Sequence, residues 1–149
     1  MLCHKKFKAM QNLTIRSHKP TNTYRNHNLF ILNKGLNSGK PMHEPCANCF
    51  VIACENAQDK ESYYWLSYSL WKSKYWHLHL VGSVIPFLRI HDFKKQFEIK
   101  TRIMIQEHEQ HSNNIKALRL LEQQEMQFQK NLVLINDMKR VILHRYCKK

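Results

Sequence analysis

Four side chains within twelve residues carry the donor types that a soft metal takes: His43, Cys46, Cys49 and Cys54, spaced H-x2-C-x2-C-x4-C. Zinc binds four such ligands tetrahedrally, and a C-x2-C pair supplies two of them from one knuckle. Cys49 to Cys54 (CFVIAC), however, reads as an apolar strand, whose alternating side chains put residues five apart on opposite faces. No distant C-x2-C or H-x3-H pair completes the set. Cys49 and Cys54 are better read as small apolar strand residues, and no metal or other cofactor is expected. His77-x-His79 and His108-x2-His111 are read as surface histidines, since His108-Glu109-Gln110-His111 is one residue short of H-E-x-x-H. Asp92 with Glu98-Ile99-Lys100 comes nearest to a magnesium-holding carboxylate set, but reads as a solvated helix face. There is no G-x-S-x-G and no G-x-G-x-x-G, and the Lys34–Lys40 loop runs into Pro41 instead of the Gly-Lys-Ser/Thr ending of a phosphate loop. An enzyme is not expected.

Binding chemistry is the better reading. The formal net charge is +13, from 24 Lys and Arg against 11 Asp and Glu, and residues 1–43 carry eight of the basic residues with no acidic one. Such a field attracts polyanions, because each phosphate neutralised releases condensed counterions, so nucleic acid is the expected partner. Lys34 and Lys40 flank a Gly-containing loop whose backbone N–H groups can meet phosphate, with Asn33, Asn37 and Ser38 available to base edges or sugar. Arg25 lies in the same basic third, while Lys72, Lys74 and Arg89 extend the positive character. The stripe Tyr64, Tyr68, Trp71, Tyr75 has the spacing of a buried helix face and is expected in the core.

The elements that position these residues follow from pattern. Leu13–Arg16, Asn28–Asn33 and Cys49–Cys54 read as strands, with Phe50 and Ile52 on one face of the last and Val51 and Ala53 on the other. A helix follows Asn56 as N-cap, with Asp59 and Glu61 in its first turn, and ends near Trp76. His79–Ile85 reads as strand interrupted at Gly82-Ser83. From Asp92 onward Pro and Gly are absent, which predicts one long helix or a hairpin of two, with a break in Glu107–Asn114 and Ser112 as a new N-cap. Leu118, Leu121, Phe128, Leu132, Ile135 and Ile142 form a seam at spacings of three and four, interrupted by Glu125 and Lys139, suited to packing against one partner helix.

The run YYWLSYSLWKSKYW, followed by Gly82-Ser83-Val84-Ile85-Pro86 and Ile90-x-Asp92-Phe93-Lys94, resembles the closing third of a target recognition domain from the specificity subunit of type I restriction-modification systems. The likeness covers Asn48–Gln96. His91-Asp92-Phe93-Lys94-Lys95-Gln96 departs from the family pattern in having no Pro. The resemblance implies a half-size recognition module that reads duplex DNA and pairs through its helices. The whole chain is also similar to a group of small basic proteins with no assigned function.

The expected architecture is α+β: a small mixed or antiparallel sheet with one packed aromatic helix, then a C-terminal long helix or helical hairpin. Residues 1–12 are expected as a flexible basic tail, 13–97 as the globular domain, and 98–149 as a helical extension packed on it or used for dimerisation. No run approaches the apolar length of a membrane span, no signal-peptide core is evident at the N-terminus, and five cysteines without an export signal fit reduced thiols. The expectation is a cytoplasmic, non-catalytic DNA-binding protein, able to homodimerise through its C-terminal helices. The alternative is a protein-interaction or scaffold protein acting through those helices.

Overall fold

The computed structural model describes residues 13–24 and 27–147. The basic tail expected at 1–12 and the candidate contact Arg25 lie outside the described residues.

Two short apolar runs make the centre of the sheet. Asn28–Leu32 (β2) and Cys49–Ala53 (β4) pair antiparallel, with Thr14–Ser17 (β1) on the outer edge of β4 and the two-residue Pro41–Met42 (β3) on the outer edge of β2. The register aligns Ile15 with Ile52, Ile52 with Leu29, and Phe50 with Ile31. Because side chains alternate, these five share one face, while Phe30, Cys49 and Val51 share the other. Both faces of the central strands are buried. The sheet is therefore antiparallel, and its β3 edge was not read from the sequence: Pro41 lacks the N–H of a central strand, and an edge position tolerates that loss.

The first helix, Ala57–Lys72 (α1), starts where Asn56 accepts the Asp59 backbone N–H at 2.8 Å and donates its side-chain amide to the Asp59 carboxylate at 2.9 Å. It buries Tyr63, Ser67 and Leu70, spaced four and three apart, together with Trp65. This corrects the expected stripe in part: Tyr64, Tyr68 and Trp71 lie one residue further round and, like Tyr75, are only half-buried, with Tyr64 and Tyr75 packed against the rim of the core. The helix also stops four residues before Trp76. Ser73 and Lys74 turn the chain, with Lys74 in the left-handed conformation (φ 57°) that commonly ends helices. Trp76 then enters the core from a 3-10 turn, Tyr75–His79.

A two-stranded ribbon, Leu80–Val81 (β5) with Phe87–Leu88 (β6), leads into the second helix, Ile90–Gln106 (α2). α2 buries Phe93, Phe97, Thr101 and Met104 at helical spacing. α1 packs on β2 and β3, α2 on β1, and the two helices on each other. Their meeting point is aromatic: the Phe93 ring centroid lies 5.2 Å from Phe50, 5.0 Å from Trp76 and 5.1 Å from Phe97. The fold is α+β, as expected.

This first compact unit ends at His108. The second holds most of the third helix, His108–His144 (α3), which at 1.5 Å per residue is about 55 Å long. The break between α2 and α3 falls at Glu107, so Ser112 lies inside α3 and caps nothing. Along α3, Leu121, Phe128, Leu132, Ile135 and Ile142 are exposed, and Leu118 is half-buried.

Gly39 has φ +94°, and a β-carbon there would sit 2.0 Å from Cδ1 of the buried Trp76; at Gly35, φ is +90° but the space is open. Gly39→Ala combines backbone strain with overpacking and should lower unfolding stability by about 3 kcal/mol, against about 1 kcal/mol for Gly35→Ala. Urea unfolding of the two variants beside the parent measures both, and equal losses would contradict the packing of Trp76 on the loop.

Candidate nucleic-acid interface

The hairpin loop between β2 and β3 is built by its own backbone. Leu32 and Lys40 are joined by the Leu32 N–H to the Lys40 carbonyl at 2.9 Å, Gly39 donates to the Leu32 carbonyl at 2.7 Å, and Lys40 donates to the Asn37 carbonyl at 3.1 Å. The loop is tied to two neighbours. Gly35 donates to the Pro86 carbonyl at 2.7 Å and Leu88 donates to the Asn33 carbonyl at 2.8 Å, fastening it to the β5–β6 ribbon. His77 Nε2 lies 3.2 Å from the Leu36 carbonyl oxygen, fastening its tip to the 3-10 turn.

That anchoring brings the loop to the C-terminal end of α1. The Lys40 Nζ lies 5.4 Å from the centre of the Trp71 ring, and the Lys72 Nζ lies 5.0 Å from it and 5.5 Å from Tyr68. An ammonium near an indole face is attracted by the ring quadrupole. Leu36, Asn37, Trp71, Lys72, Lys74 and His77 line a cavity of about 260 Å³ between loop and helix end. Behind it the rings continue along α1: Tyr68 meets Trp71 edge-on at 5.9 Å, Tyr64 stacks on Tyr68 at 6.3 Å, and His43 stacks on Tyr64 at 4.8 Å. A second, more open concavity of about 560 Å³ lies at Tyr24, His27, Phe30, His43 and Lys60.

Of the candidate contacts read from sequence, Asn37, Lys40, Lys72 and Lys74 come together around Trp71. Lys34 is exposed and bridges to Phe87, on the ribbon side of the loop. Asn33 is half-buried. Ser38 is buried and donates its hydroxyl to the Gly35 carbonyl at 2.6 Å, so it shapes the loop and presents nothing at its surface. Arg89, at the start of α2, is paired with Asp92 at 2.7 Å. Trp71 and His77 join this group without a signal for binding in the sequence: the spacing of Trp71 from Tyr64 and Tyr68 is that of a buried face, and only the position of the loop distinguishes it.

The cysteines do not converge. Cys49 faces the cluster of Phe30 and Val51, hydrogen-bonded with Cys46, whereas Cys54 packs against the main core on the opposite side of the sheet. His43 is engaged with Tyr64. Among the described residues, no group of three or more His, Cys, Asp or Glu is placed to hold a metal ion. Burial pushes the Cys49 thiol up to about 11, and burial, helped by the Asp59 charge, pushes Cys54 up to about 12. Both thiols are thus neutral, weakly nucleophilic groups at neutral pH. A folded-state value above the unfolded one stabilises the fold below the unfolded value of about 8.5, and that contribution disappears as pH rises through the folded values. The urea midpoint should therefore fall between pH 9 and pH 12, and iodoacetamide at pH 8 should label the exposed Cys147 well before Cys49 or Cys54. Rapid labelling of Cys49 and Cys54 in the folded protein would contradict their burial.

No helix among the described residues is long and apolar enough to cross a membrane. No curated protein and no solved structure matches the chain. A family model does match, over residues 15–145, which take in both compact units, and the chain therefore belongs to DUF6943, a family of unknown function.

Proposed function

We propose that this chain is a non-catalytic nucleic-acid-binding protein of the cytoplasm, akin to a half-size target recognition module, that grips the phosphate backbone at the junction of the β2–β3 loop and the end of α1. One observation carries the reading: Lys40 and Lys72, from different elements, stand 5.4 and 5.0 Å from the same half-exposed indole, with Lys74 on the rim of the same cavity. Cations held apart in sequence and converging beside an aromatic ring suit a ligand that carries both phosphate and flat bases. The net charge of +13 supplies long-range attraction of the right sign. Duplex DNA is the first substrate to test, as the restriction-subunit resemblance implies.

Fluorescence anisotropy with random-sequence DNA across a salt series tests this. Affinity should fall steeply with salt, and Lys40→Glu with Lys72→Glu should weaken binding at least about tenfold and reduce the salt slope by about 2, because each lysine neutralises about one phosphate. Unchanged binding by a folded double variant would remove these lysines from the site.

A second reading rests on α3, whose apolar seam of Leu121, Phe128, Leu132, Ile135 and Ile142 is exposed along the second unit. Its occupant would be a second copy of the chain. Glu125 and Lys139 interrupt the seam fourteen residues apart, so an antiparallel copy sets opposite charges within a turn of each other, whereas a parallel one stacks like charges. Light scattering should then give twice the chain mass of 18.0 kDa, and Leu121→Asp with Leu132→Asp should return it to a monomer. A monomeric parent protein would end this reading.

A further inference from the structure

Phosphate contact alone uses the Trp71 ring only to gather the Lys40 and Lys72 ammonium groups. Of the three tryptophans, Trp65 and Trp76 are buried in the first unit, and Trp71 is the one that faces a cavity. We infer that the cavity beside Trp71 is a stacking site for one unpaired nucleobase, so that the ligand is single-stranded nucleic acid. This rests on the nucleic-acid reading and replaces its duplex with a single strand.

The geometry matches a nucleotide part by part. The indole offers a π-face, and base stacking on an aromatic side chain is tolerant of sequence because every base has such a face. Lys40 and Lys72 hold their ammonium groups over that ring, so a base that stacks on it displaces a flexible lysine side chain, which is then left next to the phosphate attached to the base. Asn37 brings an amide to the cavity wall, able both to donate to and accept from a base edge, and the exposed Leu36 flanks the same space. At about 260 Å³ the concavity is large enough to receive one base.

Base pairing decides between strands. Within a duplex both faces of a base are covered by its neighbours, so a ring can stack on it only after extrusion, whereas a single strand presents its bases without that cost. The ring is also held ready. Tyr68 abuts Trp71 edge-on, Tyr64 stacks behind Tyr68 and His43 behind Tyr64, while the His77 contact to the Leu36 carbonyl fixes the opposite wall. A preformed wall lowers the ordering cost of binding.

Three probes of equal length separate the possibilities: a single-stranded DNA, its duplex, and an abasic strand that keeps the phosphates and lacks the bases. The single strand should bind more tightly than either of the others and quench tryptophan fluorescence. Trp71→Ala, checked by circular dichroism, should lose roughly five- to 150-fold in affinity for the single strand, the range of one base stack, and nothing for the abasic strand. Trp71→Phe, which keeps a ring, should retain most of the affinity while removing the quenching. Equal affinity for the single and abasic strands, or a single-strand affinity that neither Trp71 variant changes, would overturn the stacking site while leaving phosphate binding intact. Absence of binding to all three probes at low salt would overturn both readings together.

Discussion

The Trp76 indole occupies the space a β-carbon would need at position 39, and the same ring meets Phe93. This one contact joins three pieces of chain that are far apart in sequence: the β2–β3 loop, the 3-10 turn after α1, and α2. Glycine at 39 permits it twice over, by accepting φ +94° and by having no side chain. Because protein interiors pack to crystal-like density, a close contact of this kind transmits position. The loop lies where it does because Trp76 is buried, and Trp76 is buried because α1 stops at Lys72 and the left-handed Lys74 turns the chain inward.

The same arrangement explains how a candidate site can sit on so small a fold. The sheet has apolar residues on both faces, and α1 and α2 cover one of them, so surface for recognition is left at the ends of elements and in loops. The loop is held by backbone hydrogen bonds to itself and to the β5–β6 ribbon, and Ser38 uses its hydroxyl inside it. Asn37 and Lys40 thereby project from a braced support. On the helix side, Lys72 in the last turn also complements the negative end of the α1 dipole.

Two features of α1 show how a periodic pattern can mislead. Tyr64, Tyr68 and Trp71 have the spacing of a buried stripe, and so do Tyr63, Ser67 and Leu70 one residue earlier. Hydrophobicity favours the first set because Ser67 is polar, yet the close packing of the helix against β2 and β3 puts the second set inside. Likewise Tyr75 and Trp76 look like a continuation of the helix, although they belong to the turn that follows it. The residues left half-exposed by that rotation are the aromatic ones that the lysines then meet.

Local chemistry, which depends on near neighbours, could be read from the sequence itself. The Asn56 cap with Asp59, the central strands at 28–32 and 49–53, the opposed faces of Phe50 and Val51, and the polar break after α2 all follow from alternation, capping and helical composition. The basic character of residues 34–40 and 72–74 was equally plain, since charge needs no fold to be counted. Which face of α1 is buried, the short Pro41–Met42 edge strand, and the meeting of Lys40 with Trp71 were settled by contacts between residues from about ten to about thirty apart. Such contacts form only when the core closes around Phe93 and Trp76, and no local propensity encodes them.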